Sequence, residues 1–412
     1  MPAMTSAALS TPVPLKRDAG VIGLVGLAHM VSHFAQLILP PLFPWLKDAF
    51  GVSYTQLGFL MTIFFAVSCG VQTASGFLVD RFGPRPVLFA GLALVGAAAF
   101  GFASAPNYWV MALFAIVAGM GNGVFHPVDY TLLNRKVSAP RLGHAYSVHG
   151  ITGALGWASG PALVVPLALA FHWRVALAAA GAVAVGVLVL LWFRRETLAL
   201  PPAPPATAAD PAASEGSFDF LRIPAVWMCF LFFLVYAGVL TGVQTFAPMA
   251  ARQLVDMPLG LVAVCVTTYM VCSAGGTVLG GFLASDPERC ERVVGAGFAI
   301  AALLALTVAG GAVPAGAVPV LFGAMGFASG IASPSRDMLV KRSTPEHATG
   351  RVYGVVYSGL DVGQALAPLL FGALMDHGQF RQVWVVLAGL QLLIIASAFR
   401  VRHVRRTVAL PA

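Results

Sequence analysis

Twelve times along this chain, a run of about 20 predominantly apolar residues ends at a charged, proline or glycine break. That is the length a helix needs to cross the hydrocarbon core of a bilayer, where each backbone N–H and C=O must be satisfied within its own segment. The runs fall near 20–40, 54–79, 87–105, 108–132, 141–169, 174–193, 225–250, 258–284, 292–312, 315–338, 348–375 and 379–400. They predict an all-α integral membrane protein with 12 transmembrane helices. Only 10% of residues are charged and the mean hydropathy is +0.85, whereas a soluble domain carries about 25% charged residues. The first 19 residues end in Lys16-Arg17-Asp18 and lack the charge-then-apolar order of a signal peptide, so the first run is read as a retained span. Cys69, Cys229, Cys265, Cys272 and Cys290 show no metal-like pairing. Neither a disulfide framework, a metal centre nor a cofactor is expected.

Charge placement sets the orientation. With the N-terminus cytoplasmic, Lys47, Arg174, Arg252 and Arg381 face outward, and the other 20 of the 24 Lys and Arg residues face inward. Such a bias predicts a multi-pass protein of the inner (plasma) membrane with both termini cytoplasmic. It also accounts for the net charge of +8 without nucleic acid as a partner, since no soluble basic module is present.

The long break at 194–222 is Pro/Ala-rich in its middle and reads as a cytoplasmic linker. It separates an N-terminal six-helix half (20–193) from a C-terminal one (223–400), with cytoplasmic tails at 1–19 and 401–412. The halves repeat. An offset of 207 superposes Gly119 on Gly326, Gly123 on Gly330, Gly156 on Gly363 and Pro161 on Pro368. Nearby offsets match Gly76-Phe77-Leu78 with Gly281-Phe282-Leu283, and Gln36 and Pro40 with Gln244 and Pro248. Duplicated halves around a midplane site are a transporter architecture.

The stretch Gly76-Phe77-Leu78-Val79-Asp80-Arg81-Phe82-Gly83-Pro84-Arg85 lies between the second and third spans. It resembles the loop signature of the major facilitator superfamily, with Pro84 where that family usually has a basic residue. The superfamily resemblance covers nearly the whole chain. More locally, Val124-Phe125-His126-Pro127 and Leu27-Ala28-His29 with Leu37-Ile38 are similar to the fosmidomycin-resistance group of exporters. Gly156-Trp157-Ala158-Ser159-Gly160-Pro161 matches the core of an exporter motif, but Ala162, Leu163 and Val164 replace the glycines expected next. The arginine that many proton-coupled members carry on the fourth span falls at Ala115. The resemblance implies two pseudo-symmetric bundles that rock about a central site. It further implies a cytoplasmic latch in which Asp129 pairs with Arg81 or Arg85 beside Asp80, on a loop shaped by Gly76 and Gly83. By that latch the outward-facing state would be held, and Arg336 with Asp337 would form its variant in the second half.

Ionisable side chains inside a span are costly, so the few present are functional candidates. His29, His33 and Gln36 form one face of the first span at i, i+4 and i+7, and Tyr357, Asp361 and Gln364 repeat that spacing on the eleventh. Asp361, midway along its span with no cation near in sequence, is the foremost candidate for proton coupling. A carboxyl group out of bulk water can exchange a proton near neutrality; the same group suits a substrate amine, sodium, or a packing hydrogen bond. His29 and His33 suit proton relay, an acid group of a solute, or interhelical hydrogen bonding. His126 and His149 are expected at the inner mouth of the pathway. Gln36, Trp157, Tyr236, Gln244, Tyr357 and Gln364 are expected to line the substrate cavity.

These features predict a monomeric secondary transporter in the lipid bilayer, moving a small organic molecule by alternating access, with protons or another cation as the coupling ion. Export is the favoured direction; a proton-driven importer is the alternative. Without Lys or Arg near a span centre, a neutral or weakly cationic solute fits best, although the subgroup resemblance implies an anionic phosphonate. An intramembrane enzyme would want a His-Glu-x-x-His pair or a nucleophile elbow, and the chain has neither. A channel is the other remote alternative.

Overall fold

The structure, a computed structural model, describes residues 14–200, 224–283, 290–343 and 349–408. Twelve spans long and apolar enough to cross a membrane are present among them. Six are built from α1 (Leu15–Gln36) with α2 (Phe43–Phe50), α3 (Tyr54–Phe82), α4 (Pro84–Ser104), α5 (Tyr108–Asn122) with α6 (Phe125–Lys136), α7 (Leu142–Ala170) and α8 (Trp173–Phe193). After the short α9 (Arg195–Leu198) come α10 (Pro224–Thr241) with α11 (Ala247–Val255), α12 (Gly260–Leu283), α13 (Cys290–Ala309), α14 (Val318–Ser343), α15 (Thr349–Asp376) and α16 (Phe380–Val408).

Three expected helices are interrupted, each for a local reason. Pro40 and Pro41 cannot continue α1, and the chain bends through Leu37–Leu42 before α2 starts. A π-helical turn at Gly242–Phe246 precedes Pro248 in the seventh span, and the fourth span breaks between α5 and α6 at Gly123. Helix ends also pass the expected boundaries: α1 starts at Leu15 and α16 runs to Val408. Charges mark where hydrocarbon stops, while a helix can continue into the polar zone beyond it. Starts are set by chain chemistry. Ser53 and Gln56 form a reciprocal cap on α3. The turn between α3 and α4 uses Gly83 at φ 80°, followed by Pro84 in the first turn of α4.

The first six spans pack into one bundle and the last six into another. Each bundle repeats the same close approaches. A Cβ on Gly119 of α5 would overlap the Phe64 carbonyl oxygen of α3, and its counterpart Gly326 of α14 abuts that of Tyr269 on α12. Likewise Gly156 of α7 rests on Met30 of α1, and Gly363 of α15 on Leu234 of α10. Lipid offers helices no hydrophobic drive to associate, so backbone contact of this kind carries the packing. Large apolar side chains such as Phe77, Trp109, Phe171 and Phe193 lie exposed on the outside, as hydrocarbon permits.

Hydrogen bonds that join the bundles run from the end remote from the chain termini to about the middle. Asp376 closes α15 and accepts from the amides of Tyr54 (2.6 Å) and Thr55 (2.8 Å), free donors of the first turn of α3. Thr62 donates to the Ala365 carbonyl (2.6 Å) and Thr267 to that of Ala158 (3.1 Å). The innermost is Gln72 to Asp361, at 3.1 Å.

Candidate functional site

Four histidines and one aspartate converge inside the first bundle. One turn apart on α1 lie His29 and His33; α6 brings His126 and Asp129, and α7 brings His149. Ring centroids of His29 stand 3.5 Å from those of His149, 4.3 Å from His33 and 5.2 Å from His126. Asp129 is fully buried, with Oδ2 3.2 Å from His29 Nδ1 and 3.2 Å from His149 Nε2. A Cβ on Gly153 would meet the rings of His29 and His33, so that glycine makes the space the cluster occupies.

Toward the middle of the spans a hydrogen-bonded set adjoins the cluster. Asn122 Oδ1 accepts from Ser32 (2.8 Å) and Gln36 (3.3 Å), and its amide donates to Ser68 (2.9 Å). Gln36 Oε1 accepts from Trp157 Nε1 at 2.9 Å, and the Trp157 ring lies 4.2 Å from that of His33. The two side chains expected to line a cavity are thus bonded to each other, with Gln36 buried and Trp157 half-buried.

One side chain connects this cluster to the other bundle. Gln72 of α3 donates through Nε2 to Asp361 Oδ2, which leaves its Oε1 to accept from His126 Nδ1 at 3.1 Å. With Nε2 turned to Asp361, the tautomer of His126 that completes the bond is the one protonated on Nδ1. The Cys69 thiol, one turn before Gln72, is also within hydrogen-bonding reach of Asp361. Gln72, Cys69 and Asn122 were missed in sequence. A polar stripe of Ser68, Gln72 and Ser75 at i, i+4 and i+7 on the second span was the available signal.

The remaining candidates are scattered. Gln244 is buried in the second bundle, where its amide approaches Met270 Sδ at 3.7 Å. Tyr236 is half-buried, its ring edge-on to Phe298 at 6.1 Å, and Gln364 is half-buried on α15. The side chain of Tyr357 lies outside the described residues, as do those of Asp80, Arg336 and Asp337 and the middle of the linker, 201–222.

The partners of Asp129 in this arrangement are histidines. In this arrangement it pairs with His29 and His149, while Arg85 approaches Glu196 (3.6 Å) and Arg81 lies over the Phe82 ring at 5.3 Å. The reason is orientation: Asp129 shares a helix face with His126, three residues earlier, and that face is turned into the bundle. Gly76 is exposed with open space around it, and Gly83 forms the α3–α4 turn. A further ion pair at the terminal end is one the sequence did not suggest. Asp18, fully buried on α1, accepts from Ser138 Oγ at 2.5 Å and from Arg141 at 2.9 Å.

A family model described as Major Facilitator Superfamily matches residues 25–324 and 314–411. The Fosmidomycin resistance protein of Escherichia coli (strain K12) is 23% identical over 408 residues, covering 97% of each chain. The Multidrug resistance protein B homolog of Mycobacterium tuberculosis (strain ATCC 25618 / H37Rv) is 28% identical over 164 residues, 39% of this chain and 30% of the relative. Among solved structures, a bacterial homolog of the human lysosomal transporter Spinster, inward-facing and occupied, superposes with a TM-score of 0.74 at 15% identity. That match covers 95% of this chain and 98% of the other. The nucleoside transporter NupG gives a TM-score of 0.74 at 12% identity, over 92% of this chain and 99% of that one. At these identities the structural likeness is one of fold.

Proposed function

Because the chain belongs to the major facilitator superfamily and is a transporter rather than an enzyme, we propose that it exports a small organic solute across the inner membrane in exchange for protons carried on Asp361. With the termini cytoplasmic, as the Lys/Arg bias favours, the end at which Asp376, Thr62 and Thr267 join the bundles is the outer one. Alternating access then requires the junction from Asp376 to Asp361 to part at one stage of the cycle.

The observation that carries this reading is the Gln72 bridge between Asp361 and His126. It puts a carboxylate of one bundle in contact with the polar cluster of the other, at the innermost bond of the junction. A hydrogen bond to an ionised carboxylate is about twice as strong as a neutral one, so loading a proton on Asp361 loosens this contact. Proton occupancy and bundle separation are thereby linked at one residue. Export is supported by the Gly156–Pro161 sequence and by the resistance proteins among its relatives.

The test is solute-evoked proton movement in proteoliposomes loaded with a pH-sensitive dye. Fosmidomycin, taken from the name of the relative, and neutral and cationic compounds of similar size are added in turn. A saturable pH change with at least one compound, absent from protein-free vesicles, is expected. Saturable solute uptake with no accompanying pH change would remove the proton from the mechanism.

A further inference from the structure

We propose that His29, Asp129 and His149 form a binding site for one divalent transition-metal ion of the zinc, nickel or cobalt class. Helices α1, α6 and α7 each supply one ligand. The three ligand atoms lie within 4.8 Å of one another. Asp129 Oδ2 is 3.2 Å from His29 Nδ1 and 3.2 Å from His149 Nε2. Two ligands held at about 2.0–2.1 Å from a tetrahedral ion are separated by roughly 3.3 Å, so these two edges are the right length; the stacked His29 and His149 rings, with centroids 3.5 Å apart, turn about χ2 to aim both nitrogens at the ion.

Hydrogen bonding alone leaves the cluster incomplete. One carboxylate oxygen faces two imidazoles, while Asp129 Oδ1 and His29 Nδ1 are buried with no hydrogen-bond partner among the described residues. A buried carboxylate is costly, and a cation between Oδ2 and the two imidazole nitrogens neutralises its charge and gives the unpartnered His29 Nδ1 a ligand bond. Two imidazole nitrogens and one carboxylate suit zinc, nickel or cobalt and not magnesium or calcium, which prefer all-oxygen shells. Three protein ligands also leave a position open.

The surroundings fit. His126 stands beside His29 with its Nδ1 bonded to Gln72, so that ring is fixed in place next to the ligands. Tyr130, 44% exposed, packs against His149 with ring centroids 5.2 Å apart and marks the approach from the terminal end. All three ligands belong to one bundle, so a bound ion leaves the rocking of the halves free. It also supplies positive charge to a region where the described spans carry no Lys or Arg near their centres. The inference is independent of the direction and drive of transport.

The test is a Co2+ titration of the full chain in detergent, purified without a histidine tag and stripped with chelator. Expected are one equivalent of bound Co2+ and visible ligand-field bands of a four- or five-coordinate ion. Asp129→Asn and His149→Gln, each checked for folding by gel filtration, should weaken binding by more than about tenfold. His172→Gln, at an exposed histidine before α8, should bind as wild type does. Absence of bound Co2+ in the wild type overturns the site whatever the variants do. Binding that survives Asp129→Asn and His149→Gln but is lost in His29→Gln overturns the ligand set and moves the ion to His29, His33 and His126.

Discussion

The two bundles share a packing scheme and differ in what fills it. Gly119 and Gly326, or Gly156 and Gly363, sit at equivalent positions against carbonyl oxygens of the neighbouring helix. At the same offset of 207, His126 corresponds to Ser333, His149 to Val356, Asn122 to Ser329 and Asp361 to Ala154. Duplication has preserved the small-residue contacts that let helices meet in lipid, because any side chain there would collide with backbone. The ionisable groups have no such duty and have diverged. One bundle holds a histidine–aspartate cluster, the other presents the Asp361 carboxylate, and the two meet through Gln72.

The comparison breaks most severely if the shared contacts are filled. Gly156→Val and Gly363→Val should each destabilise by about 3 kcal/mol or more, since the colliding atom is backbone that cannot move aside. Comparable losses of melting temperature in detergent would support equivalent roles; a tolerated change in either bundle would deny them. Next is Asp129→Ala, expected to cost about 1–3 kcal/mol by stranding two buried histidines, again read as a melting shift. Its positional counterpart should not matter in the same way.

Smaller effects are expected at the junction. Asp376→Asn removes the negative charge from the first turn of α3, a loss of about 0.5–2 kcal/mol. In a cysteine-free background, a probe cysteine at exposed Gln56 should then label faster with a membrane-impermeant maleimide. Unchanged labelling would mean that Asp376 does not hold that end shut. Smallest is Thr267→Val, expected to cost about 0.6 kcal/mol, the average for a polar contact between helices in a membrane.

The spans were legible because a bilayer leaves a chain little choice: each crossing must be long, apolar and helical. The breaks at Pro40–Pro41 and Pro248 were visible as residues, yet periodicity alone did not turn them into breaks. Half of the site was legible as well, since the stripe of His29 and His33 is a property of one helix. Their meeting with His126, Asp129 and His149 was not. The five residues come from three helices, and which faces turn inward depends on packing, not on spacing. Asp129 shows the difference: its expected arginine partners rested on resemblance, while its i, i+3 relation to His126 already placed both on one face. Gln72 lay in the polar-looking end of the second span, and only the junction of the bundles shows that it faces Asp361.

Transport by Asp361→Asn, reconstituted in proteoliposomes, addresses the link between proton and junction most directly. Two fluxes are compared with wild type: solute movement driven by an imposed pH gradient, and exchange of labelled for unlabelled solute with no gradient. Loss of the driven flux with exchange retained is expected, because the neutral amide still bonds to Gln72 but carries no proton. Driven transport at the wild-type rate would show that the proton travels elsewhere, and the bridge would be packing alone.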